Sequence, residues 1–317
     1  AMQNELGQAL EAFEDTLQQL RAALEPTPAL LHRVFADTEE WTALLSYKLV
    51  PHLAGEGCLI AAVTGGTNTG KSTIFNLLAH RNISPIVNTA AATCHPVIAA
   101  NARRMGECLE GKLIPEFTPA LLENKQDVVD SEMDFSILFV FEEASLPDTL
   151  IIMDTPDVDS IDKRNWAVAD NIRAAGDVLI AVVTGEKYKD DRVIQYFKQA
   201  VASGRKLIPV MNKANPEKDY AVARHQLQDF LSDVGIEAPC FVMPHDFETG
   251  ADLTQQIFPL DGGEDLRSHL ETLDVPAIKQ QVFGQTVARF TETTGDFLEH
   301  LTEVRDELRA VAEQFEA

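Results

Sequence analysis

The residues best suited to chemistry in this sequence form a glycine-rich run that directly follows the apolar residues 58–63. The run reads Gly65, Gly66, Thr67, Asn68, Thr69, Gly70, Lys71, Ser72 and Thr73. It satisfies G-x-x-x-x-G-K-[ST], in which glycines let successive backbone N–H groups point at phosphate oxygens. We therefore expect the whole run to bind a nucleotide, with Lys71 reaching its β- and γ-phosphates and the Ser72 hydroxyl binding Mg²⁺. The alternative is a chance match, which the apolar strand pattern before the run and the helical pattern after it disfavour.

A carboxylate follows another apolar run. Residues 150–153 read Leu-Ile-Ile-Met, and Asp154, Thr155, Pro156 and Asp157 come next. A carboxylate at the carboxyl end of a strand can hold a Mg²⁺-bound water, so we assign Asp154 to the metal site. The alternative is an aspartate that only caps a loop.

An amide and a lysine end a later apolar run. Asn212 and Lys213 resemble the start of the [NT]-K-x-D motif with which GTPases read the guanine base, where the final carboxylate accepts two hydrogen bonds. The final position here is Asn215, a neutral amide that loses the charge-assisted pairing. We expect GTP and GDP as the nucleotides, with Asn212, Lys213 and Asn215 at the base. Glu217 and Asp219 are alternatives for the missing carboxylate.

The elements that position these residues alternate between strand and helix patterns over residues 56–274, which predicts a mostly parallel sheet with helices on both faces. Strands are expected near 59–64, 97–101, 136–141, 150–154, 178–183, 207–211 and 241–243. Helices are expected near 71–79, 163–174, 191–201, 219–234 and 265–273. Residues 106–133 are less regular, and we expect a loop or a short helix there.

Helical seams flank this α/β region. An apolar residue recurs at steps of four and three at Leu6, Leu10, Phe13, Leu17, Leu20 and Leu24. A second helix, ending near Pro51, has an apolar side at Leu31, Phe35, Trp41, Leu45 and Leu49. A third seam runs from Phe283 through Val287, Phe290, Thr294, Phe297, Leu301, Val304, Leu308, Val311 and Phe315. We expect residues 1–55 and 275–317 to form a helical bundle; the alternative is a single amphipathic helix packed on the α/β domain. Because the seam is still running at Ala317, we expect the helix to continue beyond this sequence.

Composition limits the partners. The 317 residues are 45% hydrophobic and 24% charged, as in ordinary globular proteins, and the longest apolar runs are too short to span a bilayer. Four widely spaced cysteines fit buried free thiols in a reducing cytosol. The net charge of −24 repels phosphate backbones and anionic lipids, which makes nucleic acid an unlikely main partner.

Together these motifs resemble the dynamin superfamily of GTPases, and in particular bacterial dynamin-like proteins. The resemblance covers residues 59–243 by motif and the flanks by architecture. It implies a P-loop GTPase domain at 56–274, between N-terminal bundle helices at 1–55 and a C-terminal bundle helix at 275–317. It also implies hydrolysis of GTP to GDP, activation when two GTPase domains pair, and movement of the bundle. Finally, the resemblance implies a cytoplasmic protein. It would contact the inner face of a membrane through a stalk or tip that is missing from this sequence.

The resemblance assigns further residues. Thr93, in Thr-Cys-His-Pro, matches the Thr-x-x-Pro element that binds Mg²⁺ and the γ-phosphate; Thr89 is the alternative. Asn68 matches the asparagine of GTPases that use K⁺ or Na⁺ in place of an arginine finger, although it could merely stabilise the turn. Asp157 replaces the glycine of D-x-x-G, whose N–H contacts the γ-phosphate, and Val158 replaces the glutamine that orients water. The catalytic residues implied are thus Lys71, Asn68 and Thr93.

The charged segment 184–191 is the last of these assignments. In the family, the loop at this place reaches across a dimer of GTPase domains. The simpler alternative is a solvated charged loop. The remaining alternatives for the chain as a whole are a regulatory GTPase that acts in ribosome or RNA assembly, and a nucleotide-binding scaffold with weak turnover.

Overall fold

The computed structural model describes residues 2–36, 38, 42, 45, 49, 57–86, 93–111, 113–114, 117–158, 175–214, 220–244, 253 and 256–316. It divides into two compact units. One comprises residues 55–282, and the other comprises residues 1–54 together with 283–317. Within the described residues, no helix is both long and apolar enough to cross a membrane.

The larger unit is built on a nine-stranded sheet with the order β3-β4-β2-β5-β1-β6-β7-β8-β9. The strands are β1 (Leu59–Gly65), β2 (Val97–Ala100), β3 (Thr118–Leu121), β4 (Ile137–Glu142), β5 (Leu150–Asp154), β6 (Val178–Val183), β7 (Lys206–Ala214), β8 (Phe241–Pro244) and β9 (Phe258–Pro259). All neighbouring pairs are parallel except β2 with β5 and β8 with β9. The sheet is therefore mostly parallel, which confirms the predicted fold class.

The central strands are buried on both faces, and their sequences show why. Along β1, Ile60 and Ala62 join one hydrophobic core, while Leu59, Ala61 and Val63 join the other. Continuous apolar runs rather than alternating ones are what a parallel sheet covered on both faces requires. The loops at the carboxyl ends of β1, β5 and β7 then lie along one edge of the sheet, where the predicted site residues fall.

Helices cover both faces of this sheet. The described helices are α1 (Met2–Leu24), α2 (Pro28–Val34), α3 (Lys71–Ala79), α4 (Met105–Leu109), α5 (Asp191–Ala202), α6 (Ala221–Val234), α7 (Leu266–Glu271) and α8 (Val275–Glu316), with 3₁₀ turns at Ala102–Arg104 and Lys125–Val129. Of these, α1, α2 and α8 from residue 283 onward belong to the smaller unit. Phe197 of α5 and Phe230 of α6 pack in one core at a ring-centroid distance of 5.7 Å. Phe75 of α3 and Leu266 of α7 pack in the other.

The smaller unit has its own apolar core. Leu10 and Leu17 of α1 and Phe297 and Val304 of α8 are buried in it, as the seams predict, and Val34 of α2 is buried with them. Phe13 meets Phe290 edge to face at a centroid distance of 5.8 Å. Phe35 lies 6.0 Å from Phe297, and the Arg21 guanidinium lies 4.6 Å from the centre of the Phe35 ring. These contacts join the N-terminal helices to the last part of α8 in a helical bundle.

The structure differs from the sequence predictions in three places. Residues 106–133 contain the edge strand β3, which pairs in parallel with β4, in addition to helical turns. Its sequence Thr-Pro-Ala-Leu carries a proline, which is typical of an edge and gives a weak strand signal. Strand β7 continues to Ala214 instead of ending at Met211, with an irregularity between these two residues. Strand β9 (Phe258–Pro259), which pairs antiparallel with β8, is not among the predicted strands.

Some predictions lie outside the described residues. These are the helix near 163–174, Trp41 and most of the second helix beyond Val34. The domain boundaries at 55/56 and 274/275 remain predictions.

Candidate nucleotide-binding site

The glycine-rich run forms a tight loop between β1 and α3. Gly70, in the left-handed region at φ +89°, caps the amino end of α3, and Asn68 is also left-handed at φ +60°. A Cβ on Gly65 would come within 2.4 Å of the Val182 carbonyl oxygen of the neighbouring strand. The Thr69 hydroxyl closes the turn by donating to the Gly66 carbonyl at 2.9 Å. The loop therefore needs glycine at Gly65 and Gly70 for close approach and for left-handed backbone.

Lys71 is buried at the first position of α3. Its Nζ donates to the Gly66 carbonyl at 3.0 Å and forms an ion pair with the Asp157 carboxylate. The side chains of Lys71 and Asp157 are only 4% and 7% exposed. The sequence indicates that Asp157 adds charge near the loop, but not that its carboxylate contacts this lysine.

Oxygen donors from three segments converge beside the start of α3. The Ser72 hydroxyl donates to Asp154 Oδ2 at 2.7 Å and lies 3.3 Å from the Thr93 hydroxyl. Ser84 also donates to Asp154 Oδ2, at 2.6 Å. The structure thus brings together all three predicted metal-site residues, Ser72, Thr93 and Asp154. Ser84 is missed by the sequence analysis because no motif marks it.

Burial dominates the electrostatics of Asp154. It raises the pKa of the Asp154 carboxyl above its ordinary value, and hydrogen bonds from Ser84 and Ser72 and the positive charge of Lys71 partly offset this. The backbone N–H of Thr155 donates to the other carboxylate oxygen at 3.1 Å. A buried carboxylate flanked by hydroxyls is a set of hard oxygen donors that fits Mg²⁺.

Thr93 is positioned by the residues that follow it. The backbone N–H groups of Cys94 and His95 both donate to the Val128 carbonyl, at 3.0 and 3.1 Å. The buried His95 ring contacts the Asp130 carbonyl through Nε2 at 2.8 Å. The segment that carries Thr93 is therefore fixed against the turn Lys125–Val129. Thr89 lies outside the described residues.

The predicted base-reading residues contact the phosphate loop. Asn212 Nδ2 donates to the Thr69 carbonyl at 2.8 Å, and Lys213 Nζ donates to the Asn68 carbonyl at 3.0 Å. Lys213 is itself left-handed at φ +57°. The contacts join β7 to the loop after β1. Asn215, Glu217 and Asp219 lie outside the described residues.

The other candidates are placed as follows. Gly66 and Thr69 are buried within the loop, whereas Asn68 is exposed; Thr67 and Thr73 are half-buried near it. The Val158 N–H donates to the Gly65 carbonyl at 3.2 Å, which holds the segment after β5 against the loop. Since Val158 has an apolar side chain, it supplies no group that could orient water. The roles predicted for all these residues remain predictions.

The charged segment 184–191 is partly held by polar contacts. Lys189 pairs with Asp229 of α6 at 3.0 Å, and the hydrogen bond from Lys189 lowers the pKa of Asp229. Asp190 caps α5 through hydrogen bonds from the N–H groups of Arg192 and Val193. The dimer-contact role of this segment stays a prediction.

A comparison with known protein families matches a GTPase model to the part of the chain that carries this site. Residues 60–213, just under half of the chain, match the family model described as 50S ribosome-binding GTPase. Among curated proteins, none matches the chain.

Two solved structures of an oligomerised bacterial dynamin pair, described as providing a mechanism for long-range sensing and tethering of membranes, also align with the chain. They are 13% and 14% identical to it, with TM-scores of 0.41 and 0.42, and the alignments cover 99% and 98% of this chain. The chain spans 58% and 57% of their lengths.

The family match covers β1, the phosphate loop, Asp154 and the Asn212–Lys213 pair. These are the same residues that the fold gathers at one edge of the sheet. Residues 60–213 therefore have the fold of a P-loop GTPase domain and match a GTPase family model.

Proposed function

We propose that the chain is a dynamin-like GTPase that hydrolyses GTP to GDP and phosphate in a Mg²⁺-dependent reaction. The observation that carries this proposal is the convergence of Ser72, Thr93 and Asp154 beside the amino end of α3, with distances of 2.7 and 3.3 Å. Hydroxyls and a carboxylate at this place are what a P-loop GTPase uses around its metal ion.

Each residue has a stated task in this proposal. The loop amides of residues 65–70 and the amino end of α3 would bind phosphate oxygens, and Lys71 would offset charge on the β- and γ-phosphates. Ser72 and Thr93 would hold Mg²⁺, and Asp154 would hold a water of its shell. The metal would neutralise phosphate charge. Asn212, Lys213 and Asn215 would contact the base, and the N–H of Asp157 would face the γ-phosphate.

Activation by pairing is the second part of the proposal. Val158 cannot orient water, so another group has to supply this function. We assign Asn68 to hold K⁺ or Na⁺, as its place in the loop and its exposure allow. Two GTPase domains paired through their nucleotide-binding faces, with the 184–191 segment at the contact, would complete the site.

In this proposal, the helical flanks form a bundle that converts pairing of the GTPase domains into movement. The dynamin resemblance of the sequence, together with a smaller unit made from both ends of the chain, supports a bundle that moves when GTPase domains pair. We assign residues 1–55 and 275–317 to this bundle and 56–274 to the GTPase domain. A cytoplasmic protein that contacts the inner face of a membrane through a further stalk or tip would use this motion for membrane remodelling.

A regulatory GTPase of ribosome or RNA assembly is the second candidate, and the description of the matching family model favours it. The net charge of −24 opposes it, because ribosomal RNA repels an acidic surface. Sedimentation with 50S subunits, without any nucleotide-dependent self-association, would support this candidate over the first.

A nucleotide-binding scaffold with weak turnover is the third candidate. The buried pair of Lys71 with Asp157 favours it, because that pair occupies the ammonium group that would otherwise serve the phosphates. Nucleotide binding without measurable GTP turnover would support this candidate.

The proposed metal site is tested by two serines that share one carboxylate oxygen. Ser72→Ala removes a hydroxyl of the phosphate loop that we assign to Mg²⁺, and Ser84→Ala removes a hydroxyl outside that loop that donates to the same Asp154 oxygen. We expect Mg²⁺ to tighten GTP binding in the wild type and in Ser84→Ala, but about tenfold less in Ser72→Ala. Calorimetric titration with GTP, ATP and XTP, with and without Mg²⁺, provides the measurement. Equal Mg²⁺ effects in all three proteins would contradict the metal assignment, and equally tight ATP or XTP binding would contradict the base assignment.

A further inference from the structure

Lys71 of the phosphate loop forms a buried ion pair with Asp157, which follows β5 and occupies the place of the glycine in the D-x-x-G motif. Lys71 Nζ also donates to the Gly66 carbonyl at 3.0 Å. The side chains of Lys71 and Asp157 are almost completely excluded from solvent. A pair in this position bears directly on how phosphate groups reach the lysine.

The donors of the ammonium group can be counted. A lysine ammonium has three N–H donors. Among the residues that the structure describes, the Gly66 carbonyl and the Asp157 carboxylate accept from Lys71, and these two bonds leave one of its donors for a nucleotide. A diphosphate needs one donor at its β-phosphate, whereas a triphosphate uses the lysine at both its β- and γ-phosphates. The diphosphate can therefore bind with the ion pair intact, and the triphosphate cannot.

Breaking the pair is unfavourable for a second reason. A carboxylate left without its partner in a buried position loses the interaction that compensates for its removal from water. A γ-phosphate would also bring negative charge to the ammonium that the carboxylate already contacts, where screening by solvent is weak. Both effects act more strongly against the triphosphate, because it adds the charge of a further phosphate and requires the ion pair to break.

We propose that Asp157 is a specificity-determining residue that makes the phosphate loop favour a nucleoside diphosphate over a triphosphate by retaining one N–H of Lys71. The inference rests on the nucleotide site of the proposed function and specifies its selectivity. It makes the GDP-bound form the resting form of the protein, and it makes displacement of Asp157 from Lys71 a required part of GTP binding.

Binding affinities of the whole chain test this inference. Calorimetry with Mg²⁺ would compare GDP with the β,γ-imido analogue of GTP on the wild type, Asp157→Asn and Asp157→Gly. We expect the wild type to bind GDP at least about tenfold more tightly than the analogue. Both variants should bind the analogue about tenfold more tightly than the wild type does, with GDP affinity changed less than about threefold.

Asp177→Asn is the matched control. Asp177 is also buried and ion-paired, with Lys279 at 2.6 Å, and it precedes β6 at the opposite edge of the sheet from the loop. This variant should keep the wild-type ratio of GDP to analogue affinity.

The outcomes distinguish a failure of this inference from a failure of the proposed function. Equal affinities for GDP and the analogue in the wild type, or equal changes for both in Asp157→Asn, would overturn the inference while leaving the nucleotide site intact. The wild-type comparison decides even where a variant fails to fold. Binding of neither nucleotide to folded wild-type protein would overturn the proposed function and the inference together.

Discussion

At the scale of single residues, the site depends on close approaches that only small or precisely placed side chains allow. Gly65 ends β1 opposite Val182 of β6, where there is no room for a Cβ. Ser72, Thr93 and Ser84 each place one hydroxyl within reach of the same small group of atoms around Asp154. The chemistry of the site is therefore sensitive to changes of a single methyl or hydroxyl group.

Gly65→Ala tests this packing. The added Cβ would lie 2.4 Å from the Val182 carbonyl oxygen, so β1 and β6 have to separate at the loop. We expect a loss of about 1–3 kcal/mol in the free energy of unfolding, together with weaker GDP binding. Thermal unfolding and calorimetry provide the two measurements.

Gly106→Ala is the control for that substitution. Gly106 lies in the helix α4 and a Cβ there meets nothing within 4 Å. Alanine also favours helix, so this variant should be neutral or slightly more stable. If both alanine variants unfolded at the same temperature as the wild type, the close approach at Gly65 would not constrain the loop.

At the scale of elements, the smaller unit depends on one buried stripe of α8. Phe297 is 6% exposed and lies against Phe35, whereas its neighbour Leu298 is 51% exposed. The stripe joins α8 to α1 and α2 through side chains that are far apart in sequence. Loss of one large member should therefore weaken all three helical segments together.

Phe297→Ala and Leu298→Ala form a matched pair for this prediction. The first leaves a cavity in the core of the smaller unit, which should cost about 3–5 kcal/mol, and the second should cost less than about 0.5 kcal/mol. Amide hydrogen exchange followed by mass spectrometry would report the effect in α1, α2 and residues 283–316. Unchanged protection of α1 in Phe297→Ala would show that this stripe does not hold the bundle together.

The elements also show what the sequence can predict. The bounds of α3, β5 and β6 agree with the predictions, because continuous apolar runs and a glycine motif are local signals. β3 was missed because Pro119 and short length weaken an edge strand. The Ser84–Asp154 bond and the Lys71–Asp157 pair join residues 70 and 86 positions apart. Such contacts depend on how the sheet is assembled, and no local pattern encodes them.

At the scale of the whole molecule, the proposed pairing of GTPase domains has to overcome the repulsion of a strongly acidic surface. A net charge of −24 makes two copies repel, and salt screens this repulsion over about 10 Å at 0.1 M. Pairing through the nucleotide-binding face therefore requires favourable contacts at the site itself. A monovalent cation held near Asn68 would contribute to such contacts in each copy.

GTP hydrolysis measured against protein concentration, at one ionic strength set with KCl or with NaCl, tests the central claim most directly. Because the proposed pairing would complete the site, we predict that turnover per molecule rises by about tenfold or more with protein concentration and differs between the two salts. A folded protein that binds GTP but shows turnover at background at every concentration in both salts would contradict the claim.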